Sequence, residues 1–386
     1  MGIAENSSRA ARERKEVVVV GGSAAGLYTA AHVAKGGHSV RVLESKPTLD
    51  PAPRTLIVTD HFKSQISVAA RGSILNQIRR FELFTDGRSA QVALKQPDLI
   101  IERSKLIRLL ADEAEGAGAK IEYDTRFHGL APNGHGLRVH VDQGQQRSEI
   151  HADHLVGADG AASRVAKAAG WPAVETVPLV QALVKLPTDY PMDTTRVWFV
   201  PDDTPYFYWL IPESADRGAL GVIGEQGKNT KECFDRFLSK KGFEPLEWQG
   251  ARIPVYRQWV PVQRTVGNGA VYLVGDAAAQ VKVSTVGGIV TGFRGARGVA
   301  DAILQNSTRE LRALRRELST HWLIRRSLHH FQQEDYSRLV DMLNVSTRES
   351  LGEINRDEST RLLWSVIRRQ PKLVLLGLRG LLLGRR

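Results

Sequence analysis

The sequence predicts an α/β fold in which a Rossmann-type nucleotide-binding domain is interrupted by an inserted antiparallel β-sheet domain and followed by a helical C-terminal tail. Three observations predict it. The valine run Val17-Val18-Val19-Val20 leads into the glycine-rich turn Gly21-Gly22-Ser23-Ala24-Ala25-Gly26 and then a helical stretch. Two later apolar segments, 154–158 and 271–274, also end in glycine-containing turns. Between them, over roughly 177–262, short alternating strands with turn residues replace that texture.

Residues 1–15 read as a polar, flexible leader. Residues 16–20 form a strand apolar on both faces, as in a buried parallel sheet. Residues 24–36 read as a helix and 39–44 as a second strand. Strand, turn, helix and strand within about 30 residues make a βαβ unit. Residues 103–116 form an amphipathic helix with Leu106, Leu109, Leu110 and Ala114 on one face. Short strands are expected over 120–141 and another over 154–158. The alternating strands 179–186, 195–200, 206–212 and 218–224, with a helix over 230–241, give an antiparallel sheet and its cover. The buried-strand style resumes at 271–274, so the first domain is discontinuous. The expected division is 16–176 and 263–304 for the nucleotide domain, 177–262 for the substrate domain and 305–386 for a basic helical region.

Hydrophobic residues at 42% and charged residues at 25% suit a globular chain of 386 residues and argue against wholesale disorder. The lone cysteine, Cys233, excludes a disulfide framework and any multi-thiolate metal or iron–sulfur site, and no metal is expected. Its setting on a helix reads as that of a small buried apolar residue. The first residues lack the apolar core of a secretory signal, so a reducing, cytoplasmic setting is expected. Net charge is +11, and residues 305–386 hold 16 Lys+Arg against 9 Asp+Glu, which is +7 of that excess. No apolar run approaches the roughly 20 residues that span a bilayer. Basic residues lie among leucines rather than among base-stacking aromatics, so nucleic acid is not an expected partner.

In the first turn, Gly21 permits the tight bend, Gly22 and Ala25 keep the loop small, and Gly26 lets helix and strand pack closely. Ser23 takes the small second position, facing a diphosphate that would sit on the helix start. Glu44 ends the next strand about 20 residues on, where a carboxylate accepts hydrogen bonds from a ribose. The segments Val156-Gly157-Ala158-Asp159-Gly160 and Leu273-Val274-Gly275-Asp276-Ala277 follow in that order. With these three motifs, residues 16–305 resemble the para-hydroxybenzoate hydroxylase-like flavoproteins, the superfamily of flavin monooxygenases and prenyl reductases. The resemblance implies a Rossmann-type FAD-binding domain with Asp159 in its Asp-Gly motif. It also implies that Asp276 holds the ribityl chain and that Arg103 lies near the diphosphate. No second glycine fingerprint is present, so NAD(P)H would act as a transient reductant, or a protein would donate the electrons.

After Asp276, the run Gln280-Val281-Lys282 and then Thr285-Val286-Gly287-Gly288-Ile289 is similar to the geranylgeranyl reductase pattern. Gly287, Gly288 and Ile289 would bring backbone N–H groups to the flavin pyrimidine edge, at a helix start that favours negative charge. The strand Phe207-Tyr208-Trp209-Leu210-Ile211-Pro212 resembles both the prenyl reductase Tyr-x-Trp-x-Phe-Pro and the halogenase Trp-x-Trp-x-Ile-Pro motifs. Phe207, Trp209 and Ile211 are therefore the substrate-pocket candidates. Where prenyl reductases commonly carry Cys-Gly, this chain has Pro53-Arg54-Thr55-Leu56. Lys63, in His61-Phe62-Lys63, is a candidate for a halogenase lysine, against the reading of an ordinary surface lysine. His61, Tyr208 and Lys282 are positional candidates for a proton donor.

The tail, with Trp364, Arg368, Arg369, Lys372 and a leucine run over 373–383, has the composition of an interfacial helix on anionic lipid. Each buried CH₂ is worth about 0.8 kcal/mol, so a polyprenyl substrate stays in the bilayer and is collected at its surface. The expected activity is FAD-dependent reduction of isoprenoid C=C bonds, on the inner face of the membrane. The alternatives are a flavin monooxygenase or halogenase acting on an aromatic or terpenoid substrate, and a non-catalytic protein that keeps FAD as structure.

Overall fold

The computed structural model describes residues 14–144 and 146–383. Most of the expected leader and the last three residues of the tail lie outside that range. The six-stranded sheet runs in the order β16 (Gln263–Val266), β17 (Gly269–Leu273), β10 (His154–Gly157), β1 (Glu16–Val20), β2 (Ser39–Leu43), β6 (Lys120–Glu122). All its pairings are parallel except that of β16 with β17. Val17, Val18 and Val19 are almost fully buried, as strands covered on both faces require. Helix α1 (Ala24–Lys35) packs against α3 (Arg103–Gly116) and α6 (Ile289–Gln305). The expected βαβ unit and the return of the chain to this sheet near residue 263 are both present.

The second sheet is wider than the 177–262 insertion. It has eight strands in the order β15 (Pro245–Pro254), β11 (Thr176–Lys185), β14 (Arg217–Ile223), β13 (Tyr208–Pro212), β12 (Thr194–Trp198), β4 (Ile74–Thr85), β5 (Arg88–Glu102), β3 (Thr55–Val58). A division at residue 177 therefore leaves outside three strands from 55–102 that complete the sheet, β12 pairing with β4 in parallel. Helix α5 (Thr230–Lys241) covers one face, capped by Asn229 and ended by Gly242 in the left-handed region. The third sheet is the meander β7 (Thr125–Asn133), β8 (Gly136–Gln143), β9 (Gln146–Ala152).

Short helices α2 (His61–Gln65) and α4 (Arg164–Ala168) follow strand ends. The C-terminal region is helical as expected: α7 (Arg309–Leu328), α8 (Gln333–Asp341), α9 (Val345–Glu353), α10 (Ser359–Arg369) and α11 (Lys372–Leu383). It is not a detached tail, since α9 packs on β5 and α8 on β4 and β5.

Candidate cofactor site and the apolar layer beside it

The carboxyl ends of β1, β2 and β10 open into a cleft of about 680 Å³ lined by Gly21, Gly22, Ser23, Glu44, Arg103 and Asp159 among others. Gly21 has φ +107°, and a Cβ there would stand 2.6 Å from the carbonyl oxygen of Ala158. A Cβ on Gly26 would stand 2.3 Å from the Gly21 carbonyl oxygen and 2.9 Å from the Ala158 side chain. Only hydrogen fits either place, so strand and helix meet closely and the N-terminus of α1 faces the cleft. Ser23 caps that helix, its Oγ accepting from Gly26 N at 3.2 Å. Ala25 turns the other way, its methyl 3.0 Å from where a Cβ on Gly275 would lie. Glu44 accepts hydrogen bonds from Gly22 N at 3.0 Å and Lys46 N at 2.9 Å. The Asp159 carboxylate, between Gly157 and the left-handed Gly160, accepts from Ser163 Oγ at 2.5 Å and Arg164 N at 2.7 Å, which braces the start of α4.

Deeper in, three charges face one another. Burial pushes the Asp276 carboxyl up, against the pull of Arg54 and Arg103. Burial and the neighbouring Arg103 bring the Arg54 guanidinium down to about 10. Arg103 is lowered chiefly by burial as well. Arg54 Nε is buried with no hydrogen-bond partner, and Arg103 is drawn to Glu102 as well as to Asp276. Two neighbouring buried cations and an unpartnered donor suit a diphosphate. Arg54 escaped the sequence reading because it was weighed only as a missing Cys-Gly pair.

The loop from Ala279 to Gly288 closes this end. Gln280 is fully buried and accepts from Gly275 N through Oε1 at 2.7 Å. Lys282 N donates to Gly287 O at 3.0 Å, and Val286 lies at φ +52°. A β-branched residue in the left-handed region costs on the order of 1–3 kcal/mol and persists where the surroundings dictate it. Gly288 is the N-cap of α6 and offers no side-chain cap, so the first N–H groups of that helix, beginning at Ile289, stay available. A Cβ on Gly288 would lie 3.6 Å from Asp276 Oδ1.

Strand β13 alternates as a sheet strand must. Trp209 and Ile211 enter one apolar cluster with Val283, Leu314 and Leu318, and Phe207 packs against it. The Trp209 ring lies over Gly221, where a Cβ would be 2.3 Å away, and its Nε1 has no hydrogen-bond partner. The three pocket candidates thus share a face with the cofactor-side loop.

Tyr208 does not. It points to the opposite face, stacks on Phe237 with centroids 3.9 Å apart, and donates to Asp203 Oδ2 at 2.8 Å. Alternation removes it from the proton-donor candidates. Lys282 is buried and ion-paired with Asp357, a residue the sequence reading did not single out. His61 is partly exposed and lies 4.0 Å from Asp357. Lys63 pairs with Asp60 at 2.9 Å, an ordinary surface contact. Cys233 is buried on α5, as expected. Among the described residues no cluster of metal-ligating side chains occurs.

The FAD binding domain model matches residues 14–308. The chain is 29% identical over 293 residues to digeranylgeranylglycerophospholipid reductase 2 of Methanothermobacter thermautotrophicus, covering 71% of this chain and 74% of that one. It is 28% identical over 321 residues to the chloroplastic geranylgeranyl diphosphate reductase of Oryza sativa subsp. japonica, covering 76% and 67%. Among solved structures, a geranylgeranyl bacteriochlorophyll reductase-like protein from Thermoplasma acidophilum superposes with a TM-score of 0.76 at 19% identity, over 94% of this chain and 98% of that one. CmlS, a flavin-dependent halogenase, does so with a TM-score of 0.67 at 16% identity, over 94% and 78%. These two show the shared fold. The glycine cradle, the buried arginine pair and the uncapped α6 start fit the cofactor that the family model names: the chain belongs to the FAD binding domain family.

Proposed function

We propose that the protein is an FAD-dependent oxidoreductase that reduces isoprenoid, geranylgeranyl-type C=C bonds in a lipid or a prenyl diphosphate. The observation that carries this reading is the shared apolar face of Phe207, Trp209, Ile211 and Val283, which joins the substrate-side sheet to the loop ahead of α6. Such a face suits a hydrocarbon chain and excludes water. The names of the relatives point to the same substrate class.

In this reading the α1 start, with Gly21, Gly22, Ser23, Ala25 and Gly26, receives the diphosphate of FAD. Glu44 exchanges its backbone partners for a ribose hydroxyl. Arg103 and Arg54 supply positive charge beside the diphosphate, and Asp276 accepts from the ribityl chain. Asp159 holds the adjoining turn, while Gly287, Gly288 and Ile289 present N–H groups to the ring. When bound and reduced, FAD would supply hydride to one alkene carbon while water or an acid protonates the other, with NAD(P)H or a protein donor as the transient reductant. The chain itself orients the alkene and keeps the site dry.

A polyprenyl substrate would be met at a membrane surface, and the exposed side of α11 supports that part of the reading. Leu375, Leu378 and Leu382 form one exposed stripe of α11, beside exposed Trp364 and Leu323. The opposite side of α11 is seated on α7, where a Cβ on Gly380 would be 1.9 Å from the Ser327 carbonyl oxygen. Arg326, Arg368 and Lys372 of the same helices are also exposed, and such cations would complement anionic headgroups. Among the described residues no helix is long and apolar enough to cross a membrane.

The second reading, oxygen chemistry on an aromatic or terpenoid, is favoured by Ile211, the position at which the strand follows the halogenase motif rather than the prenyl reductase one. An oxygen electrode separates the two. Reduction of a prenyl substrate proceeds with no oxygen uptake tied to product, and one O₂ consumed per product would establish the second reading instead.

A further inference from the structure

Residues 14–308 match the family model, yet a buried carboxylate from outside that range reaches the loop beside the cofactor cleft. Asp357 precedes α10, and its side chain is only 1% exposed. It accepts from Lys282 Nζ through Oδ1 and from Thr59 Oγ1 through Oδ2. Lys282 is itself 5% exposed. Other charged and titratable groups face the pair from every side. Asp98 of β5 is bonded to Arg356, and His321 of α7 accepts or donates at 2.5 Å with Ser284 and lies 3.3 Å from Glu317. His61 stands on the solvent side, 3.7 Å from Glu358.

An ion pair this deep is weak evidence for stability, because desolvating two charges cancels most of their attraction. Its place in the fold gives it another use. The aliphatic end of Lys282 runs behind the turn at Gly287, where a Cβ would be 3.1 Å from Cε and 3.5 Å from Nζ. The next residue, Gly288, opens α6 and borders Asp276. The ammonium therefore lies directly behind the Gly287–Gly288 backbone that borders Asp276, in a medium where charge is poorly screened.

We propose that the Lys282–Asp357 pair sets the electrostatic potential at the ring end of the FAD site, with the C-terminal region supplying the balancing negative charge. Asp357 is a positioning residue: it acts through Lys282, fixing where the ammonium sits and neutralising most of its field. This inference rests on the placement of the ring beside Gly287 and Gly288 given above.

The test is the two-electron midpoint potential of bound FAD, measured by equilibration with a redox dye in the purified full chain. Asp357→Asn leaves Lys282 uncompensated and favours the more negative, reduced cofactor. The reduced-to-oxidised ratio is expected to rise about tenfold, equivalent to about 30 mV. Lys282→Met leaves the carboxylate alone, and the ratio is expected to fall by a similar factor. The double variant returns to within about twofold of the parent. Shifts of opposite sign that cancel are what a merely structural role would not produce. Potentials unmoved by either single change, or moved the same way by both, overturn the proposal. Lys282→Gln and Asp357→Ser serve if a first-choice variant fails to fold. A parent protein that holds no FAD would defeat the cofactor placement itself, whereas bound FAD with unmoved potentials defeats only this inference.

Discussion

A few side chains sit where the geometry admits one residue type. Gly21→Ala would place a methyl 2.6 Å from a backbone oxygen at a φ that L residues avoid, a cost of order 1–3 kcal/mol at the cleft wall. It is expected to weaken FAD binding at least tenfold by fluorescence titration, with the secondary structure retained. Asp276→Ala is expected to purify without the yellow colour, and a fully yellow variant would remove the role given to that carboxylate. Gly21 is legible in the sequence because a glycine at a strand end reports a local backbone demand, and Asp276 through the resemblance that its Gly-Asp motif carries. Arg54 and Asp357 are not legible in that way. Their partners, Asp276 and Lys282, lie 222 and 75 residues away, and nothing in the local pattern announces the pairing.

Among the elements, β13 shows how far periodicity carries. Its alternation put Phe207, Trp209 and Ile211 on one face, and the same alternation removes Tyr208 to the other, against α5. Strands β4 and β5 are not legible because their exposed and buried residues follow no clean period, and the pairing of β4 with β12 that joins them to the sheet reaches the distant insertion. Helix α11 combines both lessons: its leucine-rich composition is plain, but which leucines face outward depends on Gly380 meeting α7. Replacing Leu375, Leu378 and Leu382 together with Glu adds charge to the exposed stripe and leaves the seated side intact. Co-sedimentation with vesicles containing phosphatidylserine is expected to fall at least tenfold, with the fold unchanged by circular dichroism. Parent binding should weaken as salt rises and on phosphatidylcholine alone. Equal binding of parent and variant would exclude this surface.

For the whole molecule, the sequence shows the strands at 16–20, 39–44, 154–158 and 271–274 that lie side by side in the six-stranded sheet, while the breadth of the second sheet emerges only from long-range pairing. One buried and three partly buried histidines make a further property of the whole chain. Burial lowers the pKa of His32, His154, His321 and His329 below the ordinary value. The unfolded chain therefore binds protons first as pH falls through about 6.5, and stability declines below that point. Asp357 adds a second, more acidic window. Burial would raise its carboxyl, but the Lys282 charge and the Thr59 hydroxyl outweigh that and hold it at about 2. Its contribution is present above the unfolded value of about 3.9 and is lost as pH falls toward 2. Melting temperatures should drop between pH 7 and pH 5, and His321→Gln should reduce that drop. A flat profile for the parent over this range would contradict the assignment.

The most direct test of the central claim is anaerobic. The purified protein, its FAD reduced with dithionite, is mixed with a geranylgeranyl lipid or geranylgeranyl diphosphate, and the products are weighed by mass spectrometry. Reduction of isoprenoid double bonds predicts products heavier by whole hydrogen pairs, formed as the FAD is reoxidised. Unchanged lipid, with the FAD reoxidising only when air is admitted, would contradict it and assign the site to oxygen chemistry.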